Sequence, residues 1–152
     1  MARLIWLTTD SAININCCLK AASNTPLMLI CATQNDRLIP LVNALLKRED
    51  VDLTLRNRYG HTALTLLVRQ SQNANLIDCI QLLVNRGMDV AAKDSYNRCA
   101  LHLLCQYYEG VDFINVARLL TRADMDPKDL KSCLKILRVR KLNSDAKLLL
   151  NI

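Results

Sequence analysis

Glycine and proline are scarce, at three of each in 152 residues. Phosphate-cradling loops of the P-loop or dinucleotide type need several closely spaced glycines, and this chain has none of them. It also lacks the Gly-x-Ser-x-Gly elbow that presents a nucleophilic serine. Histidine is scarcer still, with only His61 and His102. Acidic residues are scattered rather than paired, so no general acid and base face each other. These absences remove the usual scaffolds of catalysis, and the chain is expected to be non-enzymatic with no cofactor. Aromatic residues make up 4% against 51% apolar residues overall, so the core must be aliphatic. No apolar run reaches the roughly 20 residues of a membrane span. The opening Met1-Ala2-Arg3-Leu4-Ile5-Trp6-Leu7 is also too short for the apolar region of a secretory signal.

The chain does contain a repeat. Thr25-Pro26-Leu27-Met28, Thr62-Ala63-Leu64-Thr65 and Cys99-Ala100-Leu101-His102 follow one another at a spacing of 37. The same register aligns Leu45-Leu46 with Leu82-Leu83 and Leu119-Leu120, and Val51-Asp52 with Met88-Asp89 and Met125-Asp126. A fixed period of this size marks stacked repeat units. Each unit reads as two helices and a finger. Thr25 and Thr62 can cap a helix start, and Pro26 suits the first helical position because it has no N–H to leave unpaired. Leu27, Ile30 and Cys31 recur as Leu64, Leu67 and Val68 and as Leu101, Leu104 and Cys105. Their spacing puts them on one buried face. The second helices are predicted over residues 39–47, 76–85 and 113–121. Gly87 can end the middle one in the left-handed conformation, with Asp50 and Asp124 expected to take the same role in the neighbours. Polar stretches over residues 56–61 and 93–98 hold turn residues and predict hairpin-like fingers.

These motifs resemble the ankyrin repeat, with TPLM, TALT and CALH standing where that family has Thr-Pro-Leu-His. The likeness covers about residues 15–127. It implies an all-α, ankyrin-like solenoid in one domain. Residues 1–24 are then a degenerate N-terminal cap and first finger, followed by units 25–61, 62–98 and 99–127 and a helical C-terminal cap over 128–152. In the first finger, Ile15-Asn16 stands for Val51-Asp52. Two departures are visible. The period exceeds the ~33 residues of ankyrin units, which places four extra residues near 34–37, 71–74 and 108–111, in a longer first helix or a longer loop. Larger side chains also replace the family's small pair at Ile30-Cys31, Leu67-Val68 and Leu104-Cys105. His102 occupies the position of the family's finger-bracing histidine.

The resemblance implies binding of another protein along the concave face and finger tips, by a monomer. By position the tips are Arg56, Arg58, Tyr59, Lys93, Asp94 and Tyr96. Tyrosine and arginine are the types enriched where binding energy concentrates. Tyr59 and Tyr96 share one slot and either form a ladder for the partner or cover the finger base. Leu29, Leu66 and Leu103 fall where the family's first helix faces the groove. If exposed they make an apolar stripe; if the helix is rotated they are buried. The residues also leave room for an inhibitor of Rel-type transcription factors, although the tail is basic rather than acidic. Residues 127–152 carry seven Lys and Arg against two Asp, most of the chain's net +6. That excess is either a solvated cap face or a basic patch for nucleic acid, such as RNA, or for an acidic partner, and no membrane partner is expected. Seven cysteines in an odd count without a Cys-x-x-Cys suggest small buried hydrophobes in the cytoplasm or nucleus. Cys99, His102 and Cys105 have a spacing that invites zinc, but they fall on core positions of a packed helix, and no metal site is expected.

Overall fold

A computed structural model describes residues 13–18, 22–33, 37–70, 75–110, 112–121 and 125–140. They form α1 Pro26–Cys31, α2 Leu38–Leu46, α3 Ala63–Gln70, α4 Leu76–Asn85, α5 Ala100–Tyr107, α6 Phe113–Leu120 and α7 Pro127–Val139. Helices α1, α3, α5 and α7 pack side by side as an inner row, and α2, α4 and α6 pack as an outer row against them. Each apolar helix face is thus covered by the next unit, as a stacked repeat requires. Among the described residues no helix is long and apolar enough to cross a membrane.

The inner helices start where Thr, Pro and Cys predict. Thr25 Oγ1 accepts from Met28 N at 3.3 Å, and Thr62 Oγ1 accepts from Thr65 N at 3.3 Å. At Cys99 the return bond of the same box is made by His102, whose Nδ1 accepts from Cys99 N at 3.4 Å, as Met28 Sδ accepts from Thr25 N at 3.5 Å. His102 therefore stabilises the start of its own helix, rather than bracing a neighbouring finger. In α4 the C-terminus closes on Gly87 at φ +92°. Met88 N donates to Leu83 O at 3.0 Å and Gly87 N to Val84 O at 2.9 Å, the paired bonds of a left-handed helix stop. Asp50 does not copy this. It keeps an ordinary backbone, and Arg48 grips its carboxylate through Nε at 2.8 Å and Nη2 at 2.6 Å. Asp124 lies outside the described residues.

The extra residues of the period lie between the bounds of the inner and outer helices. Inner helices end at Cys31, Gln70 and Tyr107, and outer helices begin at Leu38, Leu76 and Phe113. All three expected insertions fall in between. The fingers are turns rather than strand hairpins, with no strand running through the described residues. The first finger is also offset from its expected register. Asn14 Oδ1 accepts from Asn16 N at 2.9 Å, as Asp52 Oδ1 accepts from Thr54 N at 2.8 Å and Asp89 Oδ1 from Ala91 N at 2.9 Å. Asn14, not Asn16, therefore stands in the place of Asp52. The Asn16 side chain instead bridges to Asp50 O and Asp52 N, at 2.7 and 2.9 Å.

The core is aliphatic and lies between the rows, with Val42, Leu64, Leu67, Ile80, Leu83, Leu101, Leu104 and Leu120 all sealed from solvent. Ile30, Cys31, Val68 and Cys105 are buried with them, so the larger pair is accommodated inside. After the third unit the pattern changes. The period would start the next inner helix at 137, but α7 starts at Pro127 and no finger intervenes. Asp126 Oδ1, which makes the same turn as Asp52 and Asp89, accepts from Lys128 N at 2.8 Å and becomes the cap of α7. Two long side chains clamp α7 in place. Lys93 Nζ pairs with Asp129 at 2.9 Å, and Arg140 Nη1 donates to Cys105 O and Tyr108 O at 2.8 and 3.1 Å. Between the third finger and α7 is a cavity of about 240 Å³ lined by Val90, Cys99, Leu120 and Met125.

Candidate functional site: the finger tips and the cleft behind them

Two fingers share one construction, offset by 37 residues. Asn57 N donates to His61 O at 3.0 Å and Asp94 N to Arg98 O at 2.9 Å. Asn57 Oδ1 accepts from Tyr59 N and His61 N, both at 3.0 Å, and Asp94 Oδ1 accepts from Tyr96 N and Arg98 N, both at 2.9 Å. One side-chain oxygen therefore organises each turn from inside. The turn's left-handed residue is Gly60 at φ +75° in one finger and Asn97 at φ +61° in the next, with Ser23 at φ +55° in the first. Adjacent fingers are tied by Arg58 N donating to Ala22 O at 3.1 Å and Ser95 N to Tyr59 O at 3.0 Å. Arg56 Nη1 adds a bond to Lys93 O. These bonds hold the tips in a fixed row.

That construction sorts the expected site residues. Arg56, Arg58, Tyr59 and Tyr96 are exposed, Tyr59 by 45% and Tyr96 by 69%. Asp94 is not a tip residue. Its side chain is sealed from solvent, and its Oδ2 accepts from Arg98 Nε at 2.9 Å and Nη2 at 2.8 Å. Burial alone would raise its pKa; the Arg98 guanidinium and the two finger N–H groups outweigh that and hold it below the ordinary value. Lys93 is half-buried and committed to Asp129, which raises its pKa. The leucine stripe is not a surface: Leu103 is fully buried, Leu66 is buried and Leu29 is half-buried. Six consecutive residues of α3, Ala63 to Val68, and six of α5, Ala100 to Cys105, are buried. An inner helix covered on every side leaves no face for a groove. Its C-terminal end is exposed, at Arg69, Gln70 and Gln106.

That exposed end completes a cleft not foreseen from the sequence. Tyr59, His61, Arg69, Tyr96, Arg98 and Tyr107 enclose about 450 Å³ behind the finger tips. Arginines lie over the rings, Arg98 at 4.9 Å from the Tyr96 centroid, Arg58 at 5.5 Å from Tyr59 and Arg69 at 5.9 Å from Tyr107. Such cation–π contacts hold both partners in place. His61 is 2% exposed, and its Nδ1 has no hydrogen-bond partner; Asp94 Oδ2 is 3.7 Å away. Burial holds the His61 pKa below its ordinary value; Asp94 opposes this, and Arg69 and Arg98 reinforce it. A signal for the cleft was present in the repeat register. Stepping back one unit from Tyr59 and Arg69 gives Ala22 and Ala32, so the scaffold needs neither large side chain there.

The buried thiols show no sign of reactivity. Cys31, Cys79, Cys99, Cys105 and Cys133 are buried and unbridged. Burial pushes the Cys79 pKa up to about 11. The His102 ring is flanked by Cys99, 3.1 Å from Nδ1, and by Cys133, whose hydrogen bond raises the His102 pKa. Among the described residues no group of three or more His, Cys, Asp or Glu is arranged to hold a metal ion.

A stack of paired helices joined by turn-built fingers, with an inner and an outer row, defines a repeat solenoid. The family described as ankyrin repeats in three copies matches residues 3–94 and 27–129, and the chain belongs to the ankyrin-repeat family. The structure is similar to an ankyrin repeat domain from Acinetobacter baumannii. That match has a TM-score of 0.72 at 20% identity and covers 92% of this chain and 69% of the other. In sequence, 63 residues are 38% identical to part of a probable serine/threonine-protein kinase of Dictyostelium discoideum. That match spans 41% of this chain but only 6% of the kinase. Ankyrin-repeat domains are typically non-enzymatic and generally mediate protein–protein interaction.

Proposed function

We propose that this chain is a non-enzymatic protein-binding module, working in the cytoplasm or nucleus, that holds its partner with Arg56, Arg58, Tyr59 and Tyr96. One observation carries this reading. Among the described residues the exposed large apolar side chains are Tyr59, Tyr96 and Val139. Two of these three stand in the same slot of adjacent fingers, each beside an arginine. The fold leaves this slot free to vary, since Ala22 fills it in the first finger. Tyrosine and arginine in a pre-set row offer contact area with little side-chain freedom left to lose. Lys93 and Asp94 take part indirectly, by fixing the finger and the last inner helix.

The test compares the wild-type chain with a Tyr59→Ser/Tyr96→Ser variant as bait in the native cell, using quantitative mass spectrometry of captured proteins. Proteins enriched by the wild type should fall to background with the variant, while its melting temperature stays within a few degrees. Equal capture by both baits would refute the reading.

A further inference from the structure

The cleft behind the tips has a definite chemistry. Its walls are the rings of Tyr59, Tyr96 and Tyr107 and its charge is cationic. Arg98 is neutralised by Asp94. Arg69 is exposed at the end of α3, and its contact among the described residues is the Tyr107 ring, with no carboxylate beside it. Among the described residues lining the cleft none is acidic, and Asp94, 3.7 Å from His61 Nδ1, is sealed and turned to Arg98. An anionic group entering here would meet Arg69 beside aromatic faces, with no acidic side chain in the cleft lining to oppose it. The unpartnered His61 Nδ1 on the same wall is a second sign of an incomplete site. Buried polar atoms in native proteins nearly always have a partner. The cleft also belongs to one gap only. A unit earlier its positions hold Ala22, Asn24, Ala32 and Gln70, and a unit later Arg69 is replaced by Gln106. Packing of the repeat therefore does not account for it.

From this geometry we infer that the cleft is a recognition pocket for an acidic peptide segment, with an aspartate or glutamate side chain seated on Arg69 between Tyr107 and the two finger tyrosines. The inference rests on the protein-binding reading and names the partner's chemistry. Tyr59 and Tyr96 serve both: their outer faces belong to the row of tips and their inner faces to the pocket. Arg69 and His61 belong to the pocket alone.

Random 12-residue peptides displayed on phage, selected on the immobilised full chain, provide the probe. Enriched peptides are then synthesised with a fluorescent label and titrated by anisotropy against the wild type, Arg69→Glu, Arg69→Ala and Arg56→Ser/Arg58→Ser. The expected peptides share Asp or Glu. They weaken at least about tenfold with Arg69→Glu and less with Arg69→Ala, and they weaken as salt is raised, as a charge pair at an exposed arginine requires. Arg69 is exposed, so these variants should melt with the wild type. Enriched peptides without acidic residues, or acidic peptides indifferent to Arg69→Glu, would overturn the inference. If such peptides were lost with Arg56→Ser/Arg58→Ser, the tips would still stand as the binding face. If no peptide were enriched, both the pocket and the tips would be refuted as peptide sites.

Discussion

Replacing Asp94 separates two jobs of one side chain. Oδ1 satisfies two finger N–H groups, and Oδ2 pairs with the Arg98 guanidinium, whose side chain is 23% exposed. Asp94→Ala removes both. Each of these part-buried N–H groups left unpaired costs about 1 kcal/mol, the low end of the range for a buried donor. Breaking a fully buried ion pair costs about 3–5 kcal/mol, but water reaches Arg98, and about 1 kcal/mol is the appropriate share here. The sum is about 3 kcal/mol, or a melting temperature lower by roughly 6–12 °C for a chain of this size. Asp94→Asn keeps the Oδ1 acceptor and loses the ion pair, so it should cost about 1 kcal/mol. Asn57 already does this in the preceding finger, with His61 in the place of Arg98. Adding Arg98→His to Asp94→Asn should therefore cost no more than Asp94→Asn alone. Urea unfolding followed by far-UV circular dichroism reads all three variants. Equal losses for Asp94→Ala and Asp94→Asn would show that the charge, and not the turn's acceptor, holds the finger.

Further outcomes follow from the same geometry. Leu66→Glu places a charge in a sealed inner helix and should unfold the chain rather than only block binding, read as loss of a cooperative melt. Leu103→Ala should cost about 3 kcal/mol in urea, within the range for fully buried leucines; a loss under about 1 kcal/mol would mean that the site collapses or is not core. Gly60→Ala should destabilise more than Gly87→Ala. Both positions are left-handed, but a Cβ at Gly60 would lie 2.7 Å from Ser95 N and one at Gly87 meets nothing within 4 Å. His61 has a lowered folded-state pKa, so the unfolded chain protonates first as pH falls below about 6.5, and stability is lost there. His102 is raised and acts in the opposite sense. His61→Asn should thus gain stability relative to wild type between about pH 7.5 and 5.5, and a constant difference in urea midpoints would contradict it.

Sequence and structure agree where the chemistry is local. Helix starts at Thr25 and Thr62 need only a hydroxyl and the next three residues. The stop at Gly87 needs only a residue free to turn left-handed. Exposure of Leu29, Leu66 and Leu103 depended on what covers the inner row. Family geometry suggested an open face, but α3 and α5 are enclosed between inner neighbours and an outer helix. Asp94 counts as a tip by its position in the finger alone. The repeat held the correction, since Asn57 occupies the same slot and both side chains can close a turn on their own backbone. The cleft was least legible. It forms only when the end of α3 meets Tyr107 of α5 and the two fingers above, and the 37-residue register that pairs Tyr59 with Tyr96 and His61 with Arg98 does not pair Arg69 with Tyr107.

Amide hydrogen exchange of the full chain, with and without a captured partner, tests the central claim most directly. The account predicts that the partner slows exchange in the fingers, residues 56–60 and 93–98, and at the ends of α3 and α5, and leaves the outer helices α2, α4 and α6 unchanged. Protection confined to the outer helices, or to the basic face of α7, with the fingers unaffected, would contradict it.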